Sequence, residues 1–344
     1  MKNTFRVGSG VLLAAFLLWL AMRGVDSAAL FGTMAHARPV PLVLVVLLTV
    51  VMYAVRAMRW RLLLPPLGQA PVLDLFGITS IGFMAGLFIP RAGEVLRPYL
   101  ASRRYGVGVS AGLASIVLER LIDLITVLSL LALYMFVLPR PAAERSDALM
   151  TTLRAGAGLV FVIALLGMGF LAALRVEGGP ARRLLDWVLG LLPVKVGIQV
   201  RGLVSSFISG LEVFGSSPGQ WTRLVAESFG LWLLIAGVIH LNSLAFGFEI
   251  PFHSSFLIIA FLTVGVAIPT PGMVGGFHAS YTLVLTAIYG VDQGRAAAAG
   301  LVLHALQNLP VLIMGIGFLG REGLSLGSMR TISQGKPLVP GAPR

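Results

Sequence analysis

The chain contains no cysteine and carries very little charge. Of its 344 residues, 12% are Asp, Glu, Lys or Arg, against about a quarter in an average soluble domain. With no cysteine there is no disulfide framework and no thiolate metal site. The five histidines (His36, His240, His253, His278 and His304) show no close pairing of ligand type, so neither a metal nor another cofactor is expected. The aspartates, among them Asp74, Asp123, Asp147, Asp186 and Asp292, are scattered and form no DxD-type metal motif. That counts against an enzyme acting on lipid phosphates. No tract is long and polar enough to fold as a separate soluble domain. What the chain has instead is apolar residues, 57% of the total. An ordinary cytosolic enzyme, a disordered chain and a fibrous protein are excluded. The composition fits a protein whose solvent is mostly lipid.

The formal net charge is +12, from 26 Lys and Arg against 14 Asp and Glu. There is no polar surface to carry nucleic acid, so the basic residues read as topogenic charge beside membrane spans. A helical span needs roughly 20 apolar residues. Six stretches qualify: Val7–Met22, Pro39 to about Tyr53 running on into Arg61, Ser110–Leu138, Thr152–Leu174, Trp221–Phe248 and Ala296–Leu319. Two apolar pieces, Leu75–Ile89 and Phe256–Ile268, are too short to cross a core of about 30 Å. Each ends at a proline, Pro90 or Pro269, and a second short segment follows. Re-entrant hairpins over about 75–105 and 255–290 are the better reading. Residues 180–215 carry amphipathic periodicity and basic residues, which predicts helices lying in the cytoplasmic interface.

With the N-terminus inside, 18 basic residues fall on the cytoplasmic side and 6 outside, with Arg91 and Arg120 at membrane depth. This bias predicts cytoplasmic N- and C-termini. The two hairpins also resemble each other. Ile89-Pro90-x-x-Gly93 parallels Ile268-Pro269-x-x-Gly272, and Glu119 and Asp123 parallel His304 and Asn308. An odd number of crossings separates the equivalent elements, so the halves would be inverted, as in many secondary transporters. The expected fold is an all-α polytopic membrane protein. It has about six crossings, two opposed re-entrant hairpins and an inverted repeat. Its halves are 1–138 and 139–320, followed by a tail over 321–344.

Charge at the bilayer centre costs about 2.5–3.5 kcal/mol per residue on insertion scales. Glu119, Arg120 and Asp123 therefore need partners, and the first hairpin tip offers Arg91, Glu94 and Arg97. The six sum to zero. They read either as an ion-pair network pinning the hairpin or as a site where an anionic headgroup displaces carboxylates from arginines. In the latter reading Glu94 holds Arg97 in the empty site, and Arg120 is the main partner of Glu119. At the second tip Thr270, Gly272 and His278, with His304 and Asn308 behind them, are the candidate contacts.

Three motifs carry a family resemblance. They are Pro90-Arg91-Ala92-Gly93-Glu94-Val95-Leu96-Arg97, Glu119-Arg120-Leu121-Ile122-Asp123, and Ala267-Ile268-Pro269-Thr270-Pro271-Gly272. Together the chain resembles the lysylphosphatidylglycerol synthase/flippase transmembrane-region family over about residues 10–320. The resemblance implies opposed re-entrant helices in a bacterial-type inner membrane. It also implies flipping or handling of lipids, glycolipids or polyprenyl-phosphate carriers. Aminoacyl transfer to lipid, which the family links to a fused soluble domain, is not expected with about two dozen residues after the last span. Where the family commonly carries a second-tip acid, this chain has His278. The resulting expectation is a non-enzymatic, flippase-like transporter of anionic lipid. Its partners are membrane lipids, with no nucleic acid. The alternatives are a membrane scaffold, or an integral-membrane enzyme of envelope lipid or glycan synthesis. The lipid's identity and the oligomeric state are not legible.

Overall fold

The computed structural model describes residues 12, 15–19, 27–64, 67, 69–139, 147–174, 176, 178–191 and 218–322. Every regular element among them is helical. The first expected span, over 7–22, lies largely outside the described residues. So do the apolar-faced segment over 200–214 and the tail beyond 322.

A short helix not anticipated from the sequence, α1 (Ser27–Ala35), leads into α2 (Pro39–Leu63). Pro39 starts α2 where a missing N–H costs nothing. The first hairpin is α3 (Val72–Phe88) and α4 (Ala92–Tyr105), followed by α5 (Val109–Phe136) and α6 (Asp147–Ala173). Amphipathic α7 (Pro180–Gly190) exposes Leu184, Trp187 and Val188. The helix α8 (Pro218–Ala245) precedes the second hairpin, α9 (Ser254–Ala267) and α10 (Gly276–Ala287), whose tip holds a single 3-10 turn over Pro271–Met273. The chain closes with α11 (Gln293–Arg321).

Helices α2, α8 and α11 are long and apolar enough to cross a membrane. At 28 residues α5 is about 42 Å long, although Glu119, Arg120 and Asp123 interrupt its apolar run. The hairpin helices are shorter, with 17 residues in α3 and 14 in α9.

The hairpins approach α5 from opposite ends. At its N-terminal end the base of the first hairpin is tied together by polar contacts. Tyr105 donates to Asp74 at 2.8 Å, and Arg104 pairs with both Asp74 and Glu322, just beyond α11. Burial, then the Asp74 bond, push the Tyr105 phenol up to about 12, so it remains a donor at neutral pH. At the C-terminal end of α5, Tyr134 meets Tyr289 at 3.0 Å and His253 donates to the Pro139 carbonyl at 3.0 Å. The two tips converge between these ends, beside Ile116, Val117 and Arg120.

Each hairpin is pinched shut by a pair of glycines. A Cβ on Gly93 would run into the Gly82 carbonyl, and one on Gly276 into the Gly265 carbonyl. Both pairs are eleven residues apart. This pinch shifts the register read from the Pro-x-x-Gly motifs. Relative to its glycine, α3 runs a full turn further than α9, and the second tip is correspondingly longer. Gly86 does not share the packing role of Gly82, because a Cβ there would meet nothing.

Gly93→Ala and Gly276→Ala should each lower stability by about 1–3 kcal/mol through overpacking. Gly86→Ala should stay within about 0.5 kcal/mol of wild type. Melting in detergent checks this, with a loss for all three or for none counting against the pinch.

Candidate functional site

Glu119 organises the site. It lies ten residues into α5, about 15 Å from the helix start, and is 1% exposed. Arg97 of α4 meets it with both terminal nitrogens, at 2.9 and 3.2 Å. This two-pronged pairing is the strong geometry for a carboxylate and guanidinium. Arg120 adds a bond at 3.1 Å and Arg59 of α2 approaches to 3.7 Å. One turn along, Asp123 accepts from Arg59 at 2.6 Å, from the Trp232 indole at 3.0 Å and from Arg120 at 3.4 Å. The Arg97 guanidinium also stacks on Trp60, 4.4 Å from the ring centroid, and Trp60 donates to Ser115 at 3.0 Å. Arg97 is thus fixed by an acid on one side and an aromatic face on the other.

In front of this cluster, between the two tips, lies a cleft of about 550 Å³. Arg91, Glu94, Arg97 and Arg120 line it from the first half, Thr270 and Met273 from the second tip. The Arg91 side chain reaches the Ala267 carbonyl at 3.5 Å. Arg91 and Met273 are the two non-glycine residues with left-handed backbone among the described residues, at φ 61° and 59°. One sits at each tip. Such backbone is uncommon away from glycine and costs of order 1–3 kcal/mol.

The structure separates the sequence candidates into two groups. Arg91, Glu94, Arg97, Arg120 and Thr270 face the cleft, with Glu119 and Asp123 directly behind. Gly272, His278, His304 and Asn308 do not line it. They hold the second tip from behind. His304 donates to the Gly272 carbonyl at 2.8 Å, and His278 accepts from the Gly275 N–H at 3.3 Å. The two imidazoles lie 4.7 Å apart, and Asn308 donates to the His304 carbonyl. Two expected pairings also change. Arg97, not Arg120, is the main partner of Glu119. Glu94 makes no ion pair with Arg97, because Glu119 already occupies both of its terminal nitrogens.

Arginine and tryptophan at the end of an apolar run, as at Arg56, Arg59 and Trp60, ordinarily mark the membrane interface. All three are buried in protein. The signal was their helical spacing. Tyr53, Arg56, Arg59, Trp60 and Leu63 fall on one stripe of α2, and that stripe faces the hairpin. With Arg56 and Arg59 included, the charge around the cleft is no longer balanced. Cations exceed acids.

A model of the lysylphosphatidylglycerol synthase transmembrane region matches residues 9–315. The chain belongs to this family. It is therefore a multi-pass membrane protein. Across 92% of its length this family member is also 25% identical to a protein named glycosyltransferase AglD from Haloferax volcanii. The match covers 54% of that relative, so the chain spans about half the relative's length.

Removing a single partner strands charge in low dielectric, which costs about 3–5 kcal/mol. Glu119→Ala should lose that much. Adding Arg97→Met should restore most of the loss. Adding Arg120→Met instead should restore less, since Arg120 is 44% exposed and has solvent to turn to. Thermal or denaturant melts of the four proteins decide, and equal recovery from either arginine would reject Arg97 as the main partner. Arg91→Gly probes the tip separately. It relieves left-handed strain at φ 61°, so stability should hold or rise, and a lower melting point than wild type would count against the strain.

Proposed function

We propose that this protein moves the headgroup of an anionic lipid across the inner membrane through the cleft between the two hairpin tips. One observation carries the reading. Three arginines, Arg91, Arg97 and Arg120, face one cleft between the two hairpin tips, and Arg97 is held ready by a buried acid behind it. Arginine forks suit phosphate oxygens. The start of α4, which opens on the same cleft, adds the partial positive charge of a helix N-terminus. Apolar walls from Phe83, Ile116, Val117 and Val266 suit the first carbons of the tails.

The proposed topology has six crossings, two re-entrant hairpins entering from opposite faces and an inverted repeat, with both termini cytoplasmic. The opposite approach of the hairpins to α5 and the matched glycine pinches support it. So does the charge bias. Removing the buried Arg56, Arg59 and Arg97 from the eighteen inside cations leaves fifteen against six. In this reading the chain transports and catalyses no bond change. The relative's name, a glycosyltransferase, favours a second reading, in which the cleft presents a lipid-linked carrier to a transferase instead of moving it.

Proteoliposomes separate the two. Wild type should move a labelled anionic lipid between leaflets, Arg97→Lys should be slower and Arg97→Gln should be inactive. A wild type that binds the lipid without moving it supports presentation. An Arg97→Gln variant as fast as wild type makes the cluster purely structural. Single cysteines test the topology without background, since the chain has none. Arg103→Cys and Phe252→Cys are exposed positions at the two hairpin bases. The first should label only from the cytoplasm and the second only from the opposite side. Labelling of both from one side would break the opposed-hairpin arrangement.

A further inference from the structure

Arg56 is a buried guanidinium with no acid of its own. Its Nε and Nη1 are shielded from solvent and have no hydrogen-bond partner. The guanidinium rests over Phe83, 5.0 Å from the ring centroid, and Arg97 sits 5.7 Å from the centroid of that same ring. Phe83 lines the cleft. Arg56 is within electrostatic range of Asp123, Arg120 and Arg59, so it belongs to the same charged cluster.

A count of the cluster follows from the pairings. At the tip Arg91 and Glu94 are one charge of each sign, and at the start of α8 Arg223 pairs with Glu227 at 2.7 Å. What remains is Arg56, Arg59, Arg97 and Arg120 against Glu119 and Asp123. The protein's own groups leave two uncompensated positive charges there. A phosphodiester headgroup would neutralise one. A terminal phosphate monoester carries about −1.5 to −2 at neutral pH, with a second pKa near 6 and three acceptor oxygens. It would neutralise both, with Arg56, which does not itself line the cleft, acting through its charge from beside Phe83.

Resting on the headgroup-binding reading above, we infer that the cleft selects a lipid ending in a doubly charged phosphate monoester over one whose phosphate is a diester. Arg56 is the residue that sets the preference. Arg97 and Arg120 bind any phosphate, and Arg56 rewards the second charge.

The test measures binding of the full-length protein, in neutral-lipid nanodiscs, at a pH well above 6. Trp60 and Trp232, which flank the cluster, provide a fluorescence readout. The probes are phosphatidic acid, phosphatidylglycerol with the same tails, and inorganic phosphate. Wild type should bind phosphatidic acid at least about tenfold more tightly than phosphatidylglycerol, the scale of one charge-assisted contact. Inorganic phosphate should bind more weakly than either lipid. In Arg56→Gln the preference should vanish, with phosphatidic acid affinity falling to that of phosphatidylglycerol. Arg56→Lys should recover part of it. Arg56→Gln should melt no lower than wild type, because it removes an unpaired buried charge. Equal wild-type affinity for the two lipids overturns this inference and leaves anionic-headgroup binding standing. No binding of either lipid above a neutral phospholipid overturns the parent reading. Inorganic phosphate binding as tightly as phosphatidic acid overturns the lipid as the source of the monoester. A preference that persists in Arg56→Gln removes Arg56 from the selection.

Discussion

A carboxylate buried about a third of the way along a long helix of a membrane protein must be surrounded by cations or be neutral, and Glu119 is surrounded. Arg97, Arg59 and Arg120 converge on it from α4, α2 and its own helix. The desolvation of each ion is repaid only while all remain paired, so this requirement ties three elements together. It explains why α4 lies against α5 and why the pinch at Gly82 and Gly93 has to be tight. The Arg97 side chain packs directly on Gly82, where any Cβ would displace it. Packing and electrostatics in the first hairpin thus depend on the same few ångströms.

The same constraint makes the site usable. Holding Arg97 from behind with Glu119 and from the side with Trp60 spends its rotamer freedom in advance, so a ligand need not supply that ordering. The second half contributes no charge at its tip. It contributes a wall, shaped by the left-handed Gly272 and Met273 and held from behind by His304 and His278. One side of the cleft carries the electrostatics and the other carries the shape. Under the proposed function, a headgroup between them would touch one tip from each half of the chain, as in transporters whose site lies where two repeats meet.

Much of this was legible in the sequence, for identifiable reasons. Short apolar runs ending at Pro90 and Pro269 mark the tips, since proline stops a helix and 15 residues cannot cross a bilayer. Glu119 and Asp123, acids within an otherwise apolar run, announce a buried cluster through their cost alone. The pairing within the cluster was not legible. Arg120 is the nearest cation in sequence, yet adjacent helical residues point apart, and a residue from another element, Arg97, meets Glu119 with both prongs. Arg59 was hidden by its position, because arginine near the end of an apolar run ordinarily marks the membrane surface. Here Glu119 and Asp123 of α5 draw its guanidinium into the protein, where it is fully buried. His278, His304 and Asn308 lie behind the second tip and not on the cleft wall. Backbone carbonyls and N–H groups of an irregular tip need partners inside a membrane protein, and His304 and His278 supply two of them, while Asn308 bonds the His304 carbonyl within α11.

The central claim is that the cleft between the tips is where the phosphate sits. An experimental structure of the full-length protein with an anionic lipid, determined by electron cryo-microscopy, tests it most directly. The account predicts phosphate density in hydrogen-bond reach of Arg97 and Arg120, with the Arg97–Glu119 pair intact behind it. Lipid phosphate bound elsewhere, with the cleft closed or filled by side chains, would contradict it.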